Sequence, residues 1–238
     1  MYHWIEDKEF LGKAKARCAD IVNQLVQVIN SEGNMTVKQH LVGSGAKNLI
    51  TQNANEPIDF DYNLEVVKSG NFGRNNGREI KDYVKQIFDE ILDNAGWGHC
   101  QDSTSALTTG KINFSKGNQT PFSIDLCIIR VNPNGSWERL VHQKTGFIQM
   151  DQWYWNEAPQ SRALTDRVDW LKNNNHWLEV RNTYLDKKNM YLSRKDHDHP
   201  SFIIYIEAVN EIYFSYNPRN GGTDRCWGSQ TRNVIMGC

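Results

Sequence analysis

The sequence has no apolar run that approaches the ~20 residues of a membrane-spanning helix, and its first residues, MYHWIEDKEFLGKAK, lack the apolar stretch of a signal peptide. Its five cysteines include no CxxC pair and are odd in number, which favours reduced thiols. The formal net charge of −1 provides no overall basic field for non-specific nucleic-acid binding. We therefore expect a soluble cytoplasmic protein with no membrane partner and no strong tendency to bind long nucleic acids.

The 238 residues are enough for one large domain or two small ones around a substantial core. Apolar residues recur at steps of three or four over residues 6–31, which predicts a long helix that ends near Gly33. Strand-like runs are predicted at residues 58–67, 103–115 and 122–131. Residues 1–158 thus mix strands and helices, whereas residues 159–238 are mainly helical. This order predicts an α+β domain followed by a helical module.

Two aspartates, Asp59 and Asp61, interrupt the apolar strand PIDFDYNL. Side chains alternate between the two faces of a strand, so both carboxylates lie on the face opposite Ile58 and Phe60, roughly 7 Å apart at the Cα atoms. At that spacing they can bind one cation, and without one they repel each other and at least one pKa rises. The alternative is an amphipathic strand with one solvated face, which the pair taken alone favours.

A third aspartate, Asp125, projects from the polar face of the strand PFSIDLCII. If this strand is a neighbour of the first one, three carboxylates meet on one surface. A site of carboxylates without imidazole or thiolate suits Mg²⁺ or Mn²⁺.

A glycine turn, VGSGAKNLI, precedes the aspartate pair and leads from a strand into a short helix. Gly43 allows close approach of a ligand to the backbone, Ser44 offers a hydroxyl, and Lys47 lies one turn further on. The turn matches neither GxxxxGK[ST] nor GxGxxG, so the P-loop and Rossmann interpretations lack their signatures. The alternative here is an ordinary glycine turn.

The order of these pieces resembles that of the polymerase-β-like nucleotidyltransferase superfamily over residues 37–131. The family pattern is a Gly-Ser turn, an aspartate pair on the next strand and a third aspartate on a later strand. In this sequence the matching residues are Gly43, Ser44, Asp59, Asp61 and Asp125. The resemblance implies an α+β core, with a mixed sheet and flanking helices, followed by a helical module.

The resemblance also implies a two-metal site on Asp59, Asp61 and Asp125, with two Mg²⁺ or Mn²⁺ ions. One ion would bind a nucleoside triphosphate such as ATP, and the other would activate an acceptor hydroxyl for in-line attack on the α-phosphorus. The product would be a nucleotidylated acceptor together with pyrophosphate. The acceptor stays open among a small molecule, a nucleotide, an RNA end and a protein.

The nucleotide-binding residues implied by the resemblance are Gly43 and Ser44 at the β- and γ-phosphates, with Lys47 beside them. A basic residue of the helical module is a further candidate for the triphosphate, and Lys172, Arg181, Lys187 and Lys188 are not distinguished by the sequence. His197 and His199 are interpreted as a surface loop, since no third metal ligand stands at a recognisable spacing.

Two alternatives to nucleotidyl transfer remain. The chain is either a catalytically silent binding protein with the same fold, for example a toxin–antitoxin component, or a different metal-dependent phosphotransferase or nuclease. The three acidic residues favour catalysis, because a protein without it has no reason to cluster them.

Overall fold

The computed structural model describes residues 1–73, 75–157, 162–196 and 200–218. These residues form two compact units. The larger unit contains residues 5–50 and 55–157, and the smaller contains residues 1–4 and 51–54 together with the described residues from 162 onward. The predicted domain boundary between residues 158 and 159 lies outside the described residues, as do His197 and His199.

The helices and strands follow one another in the order listed here, with the bounds observed in the structure: β1 (Tyr2–Trp4), α1 (Lys8–Glu32), β2 (Thr36–Leu41), α2 (Gly43–Lys47), β3 (Thr51–Asn53), β4 (Ile58–Lys68), α3 (Gly77–Asn94), β5 (Gln101–Asp102), β6 (Leu107–Thr108), β7 (Phe122–Val131), β8 (Trp137–Gln143), β9 (Gln152–Glu157), α4 (Arg162–Asn173), α5 (Trp177–Ser193) and α6 (Ser201–Tyr216).

The larger unit is built on a seven-stranded mixed sheet with the path β2-β4-β7-β6-β5, in which β8 pairs with β7 and β9 with β8. Strands β4 and β7 are parallel, and every other pair in this sheet is antiparallel. Strand β7 pairs with β6 at Leu126 and with β8 from Ile129 onward, so two strands share one of its sides. This arrangement confirms the predicted mixed sheet.

One face of the sheet forms the core together with α1 and α3. The alternate residues of β4 and β7 that point to this face are buried, as the strand period predicts: Ile58, Phe60, Tyr62, Leu64, Phe122, Ile124, Leu126 and Ile128. Helix α1 begins where the Asp7 carboxylate accepts a hydrogen bond from the Phe10 amide at 2.8 Å, and it ends at Gly33 with φ of 73°. Both helices lie on the core side, whereas the other face carries polar side chains together with the buried Ile129.

The predicted strand at residues 103–115 is wrong. Only the two-residue strands β5 and β6 form near this run, followed by a single bridge between Ile112 and Phe122. The Thr109 hydroxyl accepts a hydrogen bond from the Ile124 amide at 2.9 Å, in place of a backbone carbonyl. Such side-chain bonds compete with regular pairing, which explains why a run rich in Ser and Thr does not continue as a strand.

The smaller unit contains the helices α4, α5 and α6 and the antiparallel pair β1–β3. Strand β1 is attached to α5 because the Asn189 side chain bonds both backbone groups of Tyr2, at 2.7 and 3.0 Å. Helices α4 and α5 are separated at Asn175, whose φ of 63° is left-handed. None of the helices in the described ranges combines the length and the apolar character that a bilayer crossing needs.

A buried ion network lies in the larger unit at the edge of the sheet. Lys81, 3% exposed at its side chain, makes a 2.6 Å ion pair with Asp102 and donates to the Ser103 carbonyl at 2.9 Å. Burial lowers the pKa of Lys81, and the Asp102 carboxylate opposes this effect. The His142 ring stands between two carboxylates, with Nδ1 2.8 Å from Asp102 and Nε2 3.0 Å from Asp151.

Replacing Asp102 with alanine should destabilise the protein by about 3 kcal/mol, because it leaves the Lys81 ammonium buried without its counter-charge. Urea unfolding monitored by circular dichroism measures this change. The matched control is Asp82→Ala, which removes an exposed carboxylate 3.6 Å from Arg78 and should cost about 0.5 kcal/mol or less. Equal losses of stability for the two variants would show that the buried ion pair contributes no more than the exposed one.

Candidate active site

The parallel register of β4 and β7 brings two of the three predicted aspartates side by side. Asp61 is directly opposite Asp125, and Asp59 is opposite Ser123. Neighbouring strands lie about 4.8 Å apart, so the two carboxylates project from adjacent positions on the same face. From the sequence, the three carboxylates meet only if these two strands are neighbours, and in the structure they are.

The glycine turn packs directly against this acidic strand. Gly43 has φ of 62°, and a Cβ atom added there would lie 2.1 Å from Oδ2 of Asp61. Only glycine therefore fits between the turn and the carboxylate. The Val42 amide also donates to the Asp61 carbonyl at 2.8 Å, and the Lys47 ammonium donates to the Gly43 carbonyl at 3.3 Å. The turn and the strand are thus held together at the site.

Two hydroxyls orient the outer carboxylates. The Thr108 hydroxyl on β6 donates to Oδ1 of Asp125 at 2.6 Å, and the Ser123 hydroxyl donates to Oδ1 of Asp59. Sequence reasoning did not identify either residue as part of the site. Strand alternation could have identified Ser123, since it shares a face with Asp125 two residues away. No sequence pattern could have identified Thr108, because its strand is only two residues long.

Burial and like charge raise the pKa values of Asp61 and Asp125. The pKa of Asp61 rises to about 6 because the group is buried and because Asp125 and Asp59 are near, whereas the charges of Lys47 and Arg139 oppose this. Burial also raises the pKa of Asp125, and the Thr108 hydrogen bond opposes it. The site therefore holds more negative charge than the protein itself compensates.

This excess of negative charge fits a divalent cation that takes part of its coordination from elsewhere. Among the residues described, no three His, Cys, Asp or Glu side chains are grouped so that they alone could hold a metal ion. Mg²⁺ does not need such a cage, since it commonly uses one or two carboxylates and completes its shell with water and substrate phosphate. The facing pair Asp61 and Asp125, with Asp59 beside them, suits that mode of binding.

The four basic candidates of the helical module all have contacts within the smaller unit. Lys187 lies 2.9 Å from Glu211, and Lys188 donates to the Thr51 hydroxyl at 2.9 Å. Lys172 and Arg181 lie over the rings of Trp177 and Trp4, at 5.0 and 4.5 Å from the ring centroids. These contacts give each side chain a role inside its own unit and do not single out one for the triphosphate.

Comparison of the fold finds similar solved structures. CdnC from E. coli MS115-1, solved with ATP, matches at a TM-score of 0.54 with 14% identity, over 90% of this chain and 67% of that chain. The complex of CdnC with HORMA-deltaN from the same strain matches at 0.55 with 14% identity, over 88% and 65% of the respective chains. This chain thus spans about two thirds of the length of CdnC. No family model matches the sequence, and neither does any curated protein.

At this level of identity the likeness establishes the fold. The larger unit has a mixed sheet with flanking helices, and helices follow it in the chain, as in the fold of CdnC. The predicted fold class is therefore confirmed.

Proposed function

We propose that this protein is a nucleotidyltransferase that moves a nucleoside monophosphate from a nucleoside triphosphate to an acceptor hydroxyl and releases pyrophosphate. The observation that carries the proposal is the register of Asp61 opposite Asp125, with the glycine turn packed against Asp61. The ATP in the similar CdnC structure supports a triphosphate substrate. The cytoplasmic location stays a prediction.

The glycine turn is assigned to the donor nucleotide. Gly43 and Ser44 would hold the β- and γ-phosphates through the backbone N–H groups of the turn and the Ser44 hydroxyl. Lys47 stands at the other end of the same short helix and adds a positive charge near Asp61. Binding the β- and γ-phosphates at this turn would place the α-phosphorus over the aspartates.

The aspartates are assigned to metal binding and to the acceptor. Asp59, Asp61 and Asp125 would hold two Mg²⁺ or Mn²⁺ ions, which when bound neutralise phosphate charge and lower the pKa of the acceptor hydroxyl. Asp125 is oriented at one oxygen by Thr108, so that its other oxygen can direct the acceptor hydroxyl at the α-phosphorus. The acceptor hydroxyl would lose its proton to the Asp125 carboxylate as its oxygen bonds the α-phosphorus. The bond between the α-phosphorus and the oxygen that bridges to the β-phosphorus would break, and pyrophosphate would leave with its electrons.

Replacing Asp125 with alanine should lower the rate of nucleotidyl transfer by about a hundredfold or more, because the acceptor loses the group that directs it. The assay incubates the protein with each labelled nucleoside triphosphate and Mg²⁺ or Mn²⁺, and separates cyclic, oligomeric and protein-linked products. Asp82→Ala, which removes an exposed carboxylate on α3, serves as the control and should keep the wild-type rate.

Transfer by Asp125→Ala at the wild-type rate would refute the three-carboxylate assignment. Release of orthophosphate by the wild-type protein would indicate the phosphotransferase alternative. A failure of every nucleoside triphosphate to raise the melting temperature in the presence of Mg²⁺ would favour the catalytically silent binding protein.

A further inference from the structure

Arg139 projects from the acidic face of the sheet. It lies on β8 opposite Ile129 of β7, and paired residues of antiparallel strands point to the same face. Ile129 stands four residues after Asp125 and therefore shares its face. Arg139 thus belongs to the same surface as the three aspartates, two strands away from β4.

One nitrogen atom of this guanidinium is buried without a partner among the described residues. Its Nε atom is buried and has no hydrogen-bond acceptor within the described part of the chain. The other arginine of these two strands, Arg130, points to the opposite face, forms a 2.6 Å ion pair with Glu138 and lies 4.2 Å from the ring centroid of Trp155. A buried donor left unpaired costs free energy, which a ligand with acceptor oxygens would recover.

Two carboxylates of the acidic face have other partners. Glu65, which is level with Ile129 on β4, pairs with His40 at 2.8 Å, and Asp125 accepts from Thr108. A molecule bound on this face would supply the acceptor atom that the Nε atom of Arg139 lacks.

The position of Arg139 distinguishes between the two substrates. The glycine turn follows β2 and meets Asp61 from the β2 side of β4, whereas Arg139 lies beyond β7 on the other side. The aspartates stand between them. A donor triphosphate at the turn therefore leaves Arg139 for the second substrate.

We propose that Arg139 binds a phosphate group of the acceptor, which makes the acceptor a phosphorylated compound such as a nucleotide. This inference rests on the proposed function. A guanidinium suits the task because its planar array of donors matches phosphate oxygens in pairs, and an ammonium cannot reproduce that geometry.

The test occupies the donor site first. Wild-type protein, Arg139→Gln, Arg139→Lys and the control Arg130→Gln are saturated with Mg²⁺ and an α,β-methylene analogue of the nucleoside triphosphate, which cannot be cleaved there. Each is then titrated by calorimetry with the four nucleoside monophosphates and the four nucleosides. We expect the wild-type protein and Arg130→Gln to bind a monophosphate about ten- to hundredfold more tightly than its nucleoside. This is the difference in affinity that a charged hydrogen bond between Arg139 and the phosphate provides.

We expect Arg139→Gln to bind the monophosphate and the nucleoside equally, and Arg139→Lys to retain part of the preference. An unchanged preference in Arg139→Gln would overturn the proposal. So would wild-type protein that binds the analogue but no monophosphate, and so would a loss of analogue affinity in Arg139→Gln. Failure of the wild-type protein to bind the analogue at all would refute the proposed function instead, so the two failures are distinguishable.

Discussion

Replacing Asp61 with asparagine should make the protein more stable at neutral pH and almost inactive. Asp61 has a pKa of about 6 in the folded protein, against 3.8 for the unperturbed group, because it is buried and lies near Asp125 and Asp59. Above pH 6 the folded state therefore carries an ionised carboxylate at a cost. Asparagine removes that charge and should stabilise the metal-free protein by about 2 to 3 kcal/mol at pH 7.5.

The pH dependence of this effect has a definite sign. A carboxyl group with a raised pKa in the folded state contributes its stability below its unfolded pKa, and the contribution is lost as the pH rises from about 4 to about 6. The stability difference between Asp61→Asn and the wild-type protein should thus grow over this interval and level off above it. Urea unfolding in EDTA at several pH values measures the difference, with Asp82→Asn as the exposed control. A variant less stable than the wild-type protein at pH 7.5 would contradict the electrostatic account.

The same substitution should reduce nucleotidyl transfer on the order of a thousandfold, because several kcal/mol of transition-state charge stabilisation depend on the metal-binding carboxylates. Mg²⁺ should also raise the melting temperature of the wild-type protein at pH 7.5 more than that of Asp61→Asn. Greater stability together with lost activity would identify Asp61 as a site of trade-off between stability and function.

Replacing Gly43 with alanine should abolish activity through contact with Asp61. The added Cβ atom would lie 2.1 Å from Oδ2 and 2.8 Å from Cγ of Asp61, so either the turn or the carboxylate must move. The left-handed backbone, with φ of 62°, adds strain of about 1 to 2 kcal/mol. We expect a loss of transfer comparable with that of Asp61→Asn, but with lower stability in place of higher.

The matched control is Gly33→Ala at the end of α1. Gly33 has a similar φ of 73°, and no atom lies within 4 Å of a Cβ added there. This variant carries the same backbone strain without a new contact, so it should lose about 1 to 2 kcal/mol of stability and keep its transfer rate. If both glycine variants retain activity, the close packing of the turn on Asp61 is not required for function.

Much of the larger unit could be predicted from local patterns. The stripe on α1, the helix end at Gly33 and the two faces of β4 follow from the helical and strand periods, which depend on neighbouring residues only. The strand predicted at residues 103–115 was wrong because its formation depends on distant residues. A polar run becomes a strand only where a partner strand and side-chain hydrogen bonds allow it.

The sequence by itself determined which side of β4 is polar and that a glycine turn precedes it, since both are properties of short segments. Only the tertiary structure decided that Asp61 stands beside Asp125, because strand pairing and register join positions 64 residues apart. The same long-range pairing brought in Ser123, Thr108 and Arg139. Their contribution depends on adjacency across strands, a property that no single segment contains.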